Sequence, residues 1–187
     1  MQRVLQMMVL VVVVLGLLAV RPAASGELQQ KLSAESAIEQ VAKRGVLRVG
    51  MDVFVPWAMK DKKGELIGLE IDIARRLAED MGVKVEFVPT ERSGIIPSLI
   101  AGKFDLIIGG MTVTAERNLK INFTNPYYYT GQGLLANRKM TEGFAIADFN
   151  KPEVTLAARL GSTAAVAARA YFPKATLRLS DTGPPAA

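Results

Sequence analysis

Residues 109–117, Gly-Gly-Met-Thr-Val-Thr-Ala-Glu-Arg, bring together groups that can bind an anion. The side chain of Arg117 can hold a carboxylate through two parallel hydrogen bonds, and the hydroxyl of Thr112 and nearby backbone N–H groups can complete the shell. The two glycines let a ligand approach the backbone closely, and Thr114 can cap a short helix that carries Arg117. These residue types at this spacing predict a carboxylate-binding site.

A second group of donors lies nearer the end of the chain, where Ser162 and Thr163 begin a predicted helix just after Arg159. The free N–H groups and the dipole of a helix N-terminus favour an anion. Both places also have an ordinary structural interpretation. Ser162 can be a plain N-cap with Arg159 at the surface, and Arg117 can pair with Glu116 or Asp105. The spacing leaves both interpretations open.

The chain of 187 residues offers a narrow range of chemistry, because it contains no cysteine and no histidine. That composition excludes disulfide scaffolds, thiolate zinc sites and Ser-His or Cys-His nucleophile pairs. We expect no metal and no cofactor, so function must come from carboxylates, arginines, lysines, hydroxyls and backbone groups. The net charge of the full chain is +5, and it falls to 21 − 18 = +3 without residues 1–25, which contain Arg3 and Arg21 and no acidic residue. A charge this small gives little indication of nucleic-acid binding.

The elements that must position these residues alternate between helix and strand. Apolar residues at helical spacing predict helices, and short apolar or alternating runs between them predict strands. The predicted order is helix 33–44, strand 46–50, a turn at Gly64, helix 69–81, strand 83–87, helix 94–101 and strand 105–108. This alternation predicts a parallel sheet with right-handed crossovers. Ligands bind beyond the carboxyl ends of such strands, here the residues after Val49, Val88 and Ile108.

The pattern restarts further along the chain. We predict an apolar strand at 133–137, a new unit that begins near Arg138, a strand at 154–158, a helix at 162–170 and a strand at 176–179. The first 25 residues differ from both units, since Arg3 precedes 14 apolar residues and small residues follow at 23–25. We interpret 1–25 as a cleaved signal peptide, because 14 residues are fewer than the roughly 20 that span a bilayer.

A set of short motifs occurs in a fixed order along the chain, at 45–50, 54–56, Asp61, Gly64, 67–72, 94–97, Leu99, 102–103, Asp105, 110–117 and 123–128. In their combined order these motifs resemble the bacterial extracellular solute-binding proteins of polar amino acid ABC uptake systems, over about residues 35–180. The resemblance implies a type II periplasmic-binding-protein-like α/β fold with two lobes that close about a hinge. Lobe 1, a mostly parallel sheet with flanking helices, would span 26–137 with the hinge strand, and an incomplete lobe 2 would span 138–187.

The resemblance also implies roles for particular residues. Arg117 would hold the ligand α-carboxylate, Thr112 would add its hydroxyl, the Gly110 carbonyl would accept from the α-ammonium, and Phe54 would flank the ligand. From the other lobe, the matching positions are Arg159, Ser162 and Thr163. Arg92 stands where many relatives have a second aromatic residue, and with Arg159 it would favour an acidic ligand side chain. Both arginines can equally point to water, with Glu91 neutralising Arg92.

We therefore expect a monomeric periplasmic receptor that captures a polar amino acid, delivers it to an ABC permease and catalyses no reaction. Two alternatives stay open. The chain can be a C-terminally truncated remnant that binds nothing. It can also be an enzyme on the same fold, similar to cyclohexadienyl dehydratase, in which case Glu91 is the candidate general acid.

Overall fold

The computed structural model describes residues 36–181. The chain divides into Met1–Arg44 and Gly45–Ala187, and of the first part the structure describes helix α1, Ala37–Arg44. Gly45 follows α1 at φ +67°, a conformation that suits glycine at the end of a helix. The predicted signal peptide lies outside the described residues. Within residues 36–181, no helix has the length and apolar content to cross a membrane.

The first sheet is parallel, as the alternating sequence pattern predicts. It contains β1 (Val46–Met51), β4 (Lys84–Pro89) and β5 (Leu106–Ile107), in the order β4-β1-β5. Helix α2 (Leu69–Asp80) connects β1 to β4, and α3 (Ile95–Ile100) connects β4 to β5. Val49 of β1 pairs with Phe87 on one side and Leu106 on the other, so the three strands end together.

A small hairpin interrupts the connection from β1 to α2. Strands β2 (Met59–Lys60) and β3 (Leu66–Ile67) pair antiparallel. Gly64 has φ +84° in the turn between them. The side chain of Asp61 accepts hydrogen bonds from the backbone N–H groups of Lys63 and Glu65, both at 2.8 Å. An Asx-type turn of this kind holds the chain reversal without a core of its own, which confirms the predicted turn.

The core of the first sheet is apolar and closely packed. Its most deeply buried side chains are Leu47, Val49, Met51, Ile71, Ala74, Ile95 and Phe104. A Cβ atom added to Gly50 would lie 2.3 Å from Cε2 of Phe104, so only glycine lets this ring lie against β1. The Phe104 ring thus fills the space beside the strand whose end carries the candidate site.

The second sheet has two parallel strands, β6 (Thr155–Arg159) and β7 (Thr176–Ser180), joined by helix α5 (Thr163–Tyr171). A short helix α4 (Ala115–Asn118) and a 3-10 helix (Ile146–Phe149) precede it along the chain. Leu156, Ala158, Ala165 and Phe149 are buried. These bounds confirm the predicted strand, helix and strand to within one or two residues.

The predicted strand at 133–137 is wrong, because the structure shows irregular chain there. A strand forms only when its backbone groups pair with a neighbour. Among the described residues, no strand pairs with this segment. Its apolar side chains are consequently exposed, Leu134 by 42% and Leu135 by 99%.

Candidate functional site

The candidate site lies where the three strands of the first sheet end. Asp52 follows β1 directly, Arg92 comes three residues after β4, and Gly109 comes two residues after β5. Nη2 of Arg92 donates to Oδ1 of Asp52 at 3.0 Å and to the carbonyl of Gly109 at 2.9 Å. The structure thus brings together residues that lie beyond all three strand ends, as expected for a parallel sheet.

The carboxylate of Asp52 is the centre of a buried charge cluster. Asp52 is 2% exposed, and both Nε of Arg92 and Nη1 of Arg159 lie 2.8 Å from its Oδ2. Neither N–H bond points at Oδ2, so this oxygen has two ion-pair contacts but no hydrogen bond. Burial raises the pKa of Asp52, and the two guanidinium groups oppose that rise.

Arg159 reaches this cluster from the second sheet, at the end of β6. Its Nε donates to the carbonyl of Asp181 at 2.8 Å, and its Nη1 donates to the carbonyl of Val53 at 3.1 Å. Its Nη2 lies 3.3 Å from Oε2 of Glu91. Neither Arg92 nor Arg159 points to water, and Glu91 pairs with Arg159, whereas Arg92 pairs with Asp52.

Arg117 joins the two sheets at a second point. Its helix α4 begins at Thr114, whose side chain accepts from the Arg117 backbone N–H at 3.2 Å, which confirms the predicted cap. The Arg117 guanidinium donates to the carbonyls of Thr112 at 2.7 Å and Gly161 at 2.8 Å. Burial lowers its pKa. Asp105, one of the two alternative partners of Arg117, forms an ion pair with Arg48 at 2.9 Å.

Phe54 packs against Gly110, the second of the two glycines that follow β5. Gly110 has φ +56°, and a Cβ atom added there would lie 2.6 Å from Cζ of the Phe54 ring. Backbone hydrogen bonds with Ala58 hold Phe54 in place, and the Arg92 guanidinium carbon lies 5.5 Å from its ring centroid. A cation near an aromatic face is stabilised by the ring quadrupole. Phe54, Gly110 and Arg92 therefore line one corner of the site.

The helix N-terminus predicted near residue 162 also lies at the site. Ser162 caps α5 by accepting from the backbone N–H of Ala165 at 3.2 Å, and its hydroxyl donates to the carbonyl of Arg159 at 2.6 Å. Oγ1 of Thr163 lies 3.5 Å from Oγ1 of Thr112 and accepts from Gln132 at 3.1 Å. Thr112 and Thr163 thus meet between the sheets, and a ligand role for either stays a prediction.

Sequence reasoning missed Glu70 and Tyr127, which support the Gly110 turn. Tyr127 donates its hydroxyl hydrogen to Oε2 of Glu70, and Glu70 is 4% exposed. Burial raises the pKa of Glu70, while hydrogen bonds from Tyr127 and from the Gly110 backbone oppose the rise. A signal existed, because Glu70 shares one face of α2 with the buried Ala74 and Ala78 at four-residue spacing.

Two parallel sheets with an arginine-lined site between their strand ends are typical of type II periplasmic amino acid-binding proteins. Residues 47–179 match the family described as bacterial extracellular solute-binding proteins, family 3, and the chain belongs to that family. This match confirms the resemblance given by the sequence motifs.

Three similar proteins illustrate the range of the family. The L-arginine-binding protein of Pseudomonas aeruginosa is 37% identical over 59% of this chain and 40% of its own length. Cyclohexadienyl dehydratase of the same organism is 29% identical over 82% of this chain and 57% of its own. An ancestral amino acid-binding protein, a precursor of cyclohexadienyl dehydratase, is 44% identical in sequence to this chain. Its crystal structure superposes with a TM-score of 0.76, and the match covers 78% of this chain and 65% of that one. The chain spans about half the length of the curated relatives it matches.

Proposed function

We propose that the chain is a receptor that binds a free polar amino acid between the strand ends of its two sheets. The observation that carries this proposal is the position of Arg117, which donates to Thr112 on one side and to Gly161 on the other. A guanidinium has five N–H donors, and these two bonds use two of them. The remaining N–H groups of this guanidinium can hold an α-carboxylate through two parallel hydrogen bonds.

The neighbouring residues fit the rest of an amino acid backbone. The hydroxyl of Thr112 is a further donor to the carboxylate, and the Gly110 carbonyl is an acceptor for the α-ammonium. Phe54 beside Gly110 provides an apolar wall. On the opposite side, the start of α5 at Ser162 and Thr163 offers N–H groups and a helix dipole that favour the carboxylate.

The charge cluster around Asp52 affects which ligand side chains the site can accept. An acidic side chain would have to compete with Asp52 for Arg92 and Arg159, since both guanidinium groups already lie 2.8 Å from its carboxylate. The preference for acidic ligands that the two arginines suggest in the sequence therefore has little support from the geometry. We propose a polar ligand without fixing the charge of its side chain.

The role in transport is part of the same proposal. The family membership supports a location outside the cytoplasm, and we propose that the mature chain is periplasmic, captures its ligand as a monomer and delivers it to an ABC permease. Closure around a ligand would shift the population between open and closed states, driven by contacts that exist only when both sheets engage. No chemical step is required.

An enzyme similar to cyclohexadienyl dehydratase is the second candidate, since one relative carries that activity in its name. The geometry gives it less support, because the candidate acid Glu91 has a half-exposed side chain whose Oε2 lies on the Arg159 guanidinium. We propose a binding protein that leaves its ligand unchanged. Conversion of prephenate or arogenate by the purified chain would instead show an enzyme.

The direct test is calorimetric titration of the purified chain with the common amino acids, followed by the same titration of R117A. Loss of a charged partner from a buried site costs about 2–5 kcal/mol, so affinity should fall by about thirtyfold or more. The control R76A removes an arginine that is 72% exposed on α2 and should leave affinity unchanged. Equal affinity of R117A and the wild type would refute the assignment. Absence of binding by the wild type to every amino acid tested would contradict the proposal.

A further inference from the structure

Arg159 has four polar partners at the edge of the proposed ligand site. Its guanidinium contacts the carboxylates of Asp52 and Glu91 and the carbonyls of Val53 and Asp181. Its side chain is 15% exposed. Three of these four partners belong to the first sheet and its loops, although Arg159 ends a strand of the second sheet. The residue is therefore fixed in place, with its charge directed into the site.

Asp52 is the buried carboxylate that the Arg159 guanidinium contacts. Its Oδ2 is buried and accepts no hydrogen bond, although two guanidinium nitrogens lie 2.8 Å away. Arg92 reaches Asp52 from the neighbouring strand of the same sheet, with one aligned hydrogen bond to Oδ1. The second guanidinium, that of Arg159, thus pairs with a carboxylate that could otherwise pair with an external cation.

The charges of this cluster balance without a ligand. Asp52 and Glu91 carry two negative charges, and Arg92 and Arg159 carry two positive charges. A further cation brought into the cluster by a ligand would have no carboxylate of its own, and an unpaired buried charge is costly. Removal of the Arg159 charge would leave one negative charge in excess, which a cationic ligand side chain can neutralise.

We propose that Arg159 is a specificity-determining residue: its guanidinium occupies the place of a cationic ligand side chain at Asp52 and so excludes ligands with a guanidinium or ammonium side chain. This inference rests on the proposed function, because it assigns the side-chain end of the same amino acid site. A residue that disfavours one ligand contributes to specificity in the same way as a residue that favours another.

The test compares arginine and glutamine as ligands of the wild type and R159M. Methionine keeps an unbranched apolar stem of similar bulk and removes the charge. R159M should bind arginine about tenfold more tightly than the wild type, or better, while its affinity for glutamine changes far less. The double variant D52N/R159M should lose the gain for arginine. The matched control is R178M, the same change at an exposed position on β7, which should leave both affinities unchanged.

The outcomes separate the inference from the proposed function. If the wild type binds an amino acid but R159M binds arginine no more tightly than the wild type does, the inference is wrong and the receptor assignment stands. If neither protein binds any amino acid, the receptor assignment fails and the inference fails with it. Circular dichroism checks that each variant is folded. Should R159M not fold, R159Q removes the charge while keeping a polar group near Val53, and the same comparison applies.

Discussion

Replacement of Asp52 by asparagine removes the charge that holds two guanidinium groups together. At 2.8 Å, each Arg–Asp pair contributes about 6 kcal/mol of attraction at an effective dielectric constant of about 20. Repulsion between Arg92 and Arg159 and the cost of burying the carboxylate offset much of this sum. Removal of one partner from a buried ion pair nevertheless costs about 3–5 kcal/mol, because the remaining charges stay buried. We expect a loss of that size in the free energy of unfolding.

Urea unfolding at neutral pH, followed by far-ultraviolet circular dichroism, measures this loss. The matched control is D72N, the same substitution in a side chain that is 71% exposed and lies 3.7 Å from Arg75. An exposed pair of this kind contributes at most about 1 kcal/mol. If D52N and D72N unfold at the same urea concentration, the buried cluster does not stabilise the fold and the electrostatic argument is wrong.

Three further predictions concern the parts that support the site. G50A should lose about 1–3 kcal/mol, because its Cβ would lie 2.3 Å from the Phe104 ring, whereas G131A, with no atom within 4 Å, should unfold like the wild type. Burial raises the pKa of Glu70, so its carboxylate binds a proton more readily in the folded state than in the unfolded state. Lowering the pH from 7 toward about 4.3 should therefore stabilise the wild type relative to E70Q. A difference in the free energy of unfolding between the two proteins that stays constant across this pH range would contradict this prediction. S162A removes the cap of α5 and should lower the free energy of unfolding by about 1 kcal/mol, and an unchanged urea midpoint would show that the cap is dispensable.

Local sequence signals predict most of the fold because each element carries its own periodicity and its own end signal. Helix α2 has apolar residues at helical spacing and ends before Gly82, and β4 alternates between apolar and polar residues. The order of strands and helices then implies the parallel sheet, since crossovers leave few other arrangements. Residues 133–137 have the same apolar character, yet a strand also needs a partner, and no local signal reports whether one is present.

The same limit applies to the candidate site. The ends of parallel strands indicate which residues meet at the edge of the sheet, and Asp52, Arg92 and Gly109 do meet there. The choice of partners within that group depends on contacts between residues far apart in the chain. Arg159 is 107 positions from Asp52 and lies in a separate sheet, so its ion pair follows from the packing of the two sheets. Spacing alone cannot distinguish a ligand-binding arginine from one that binds a carboxylate of the protein.

Because the arginines of the Asp52 cluster already have partners, a charged ligand side chain must exchange one set of ion pairs for another. A carboxylate that binds Arg117 instead adds to the hydrogen bonds with Thr112 and Gly161, since these use two of the five N–H donors. The binding free energy is then the difference between the interactions that the ligand makes and the internal ones that it displaces. Affinity therefore need not be high even where the new hydrogen bonds are charge-assisted. The internal hydrogen bonds and ion pairs also join the two sheets before any ligand arrives. Variants that remove one of them should therefore loosen the sheets and free a binding group at once, and stability and affinity must be measured together to separate the two effects.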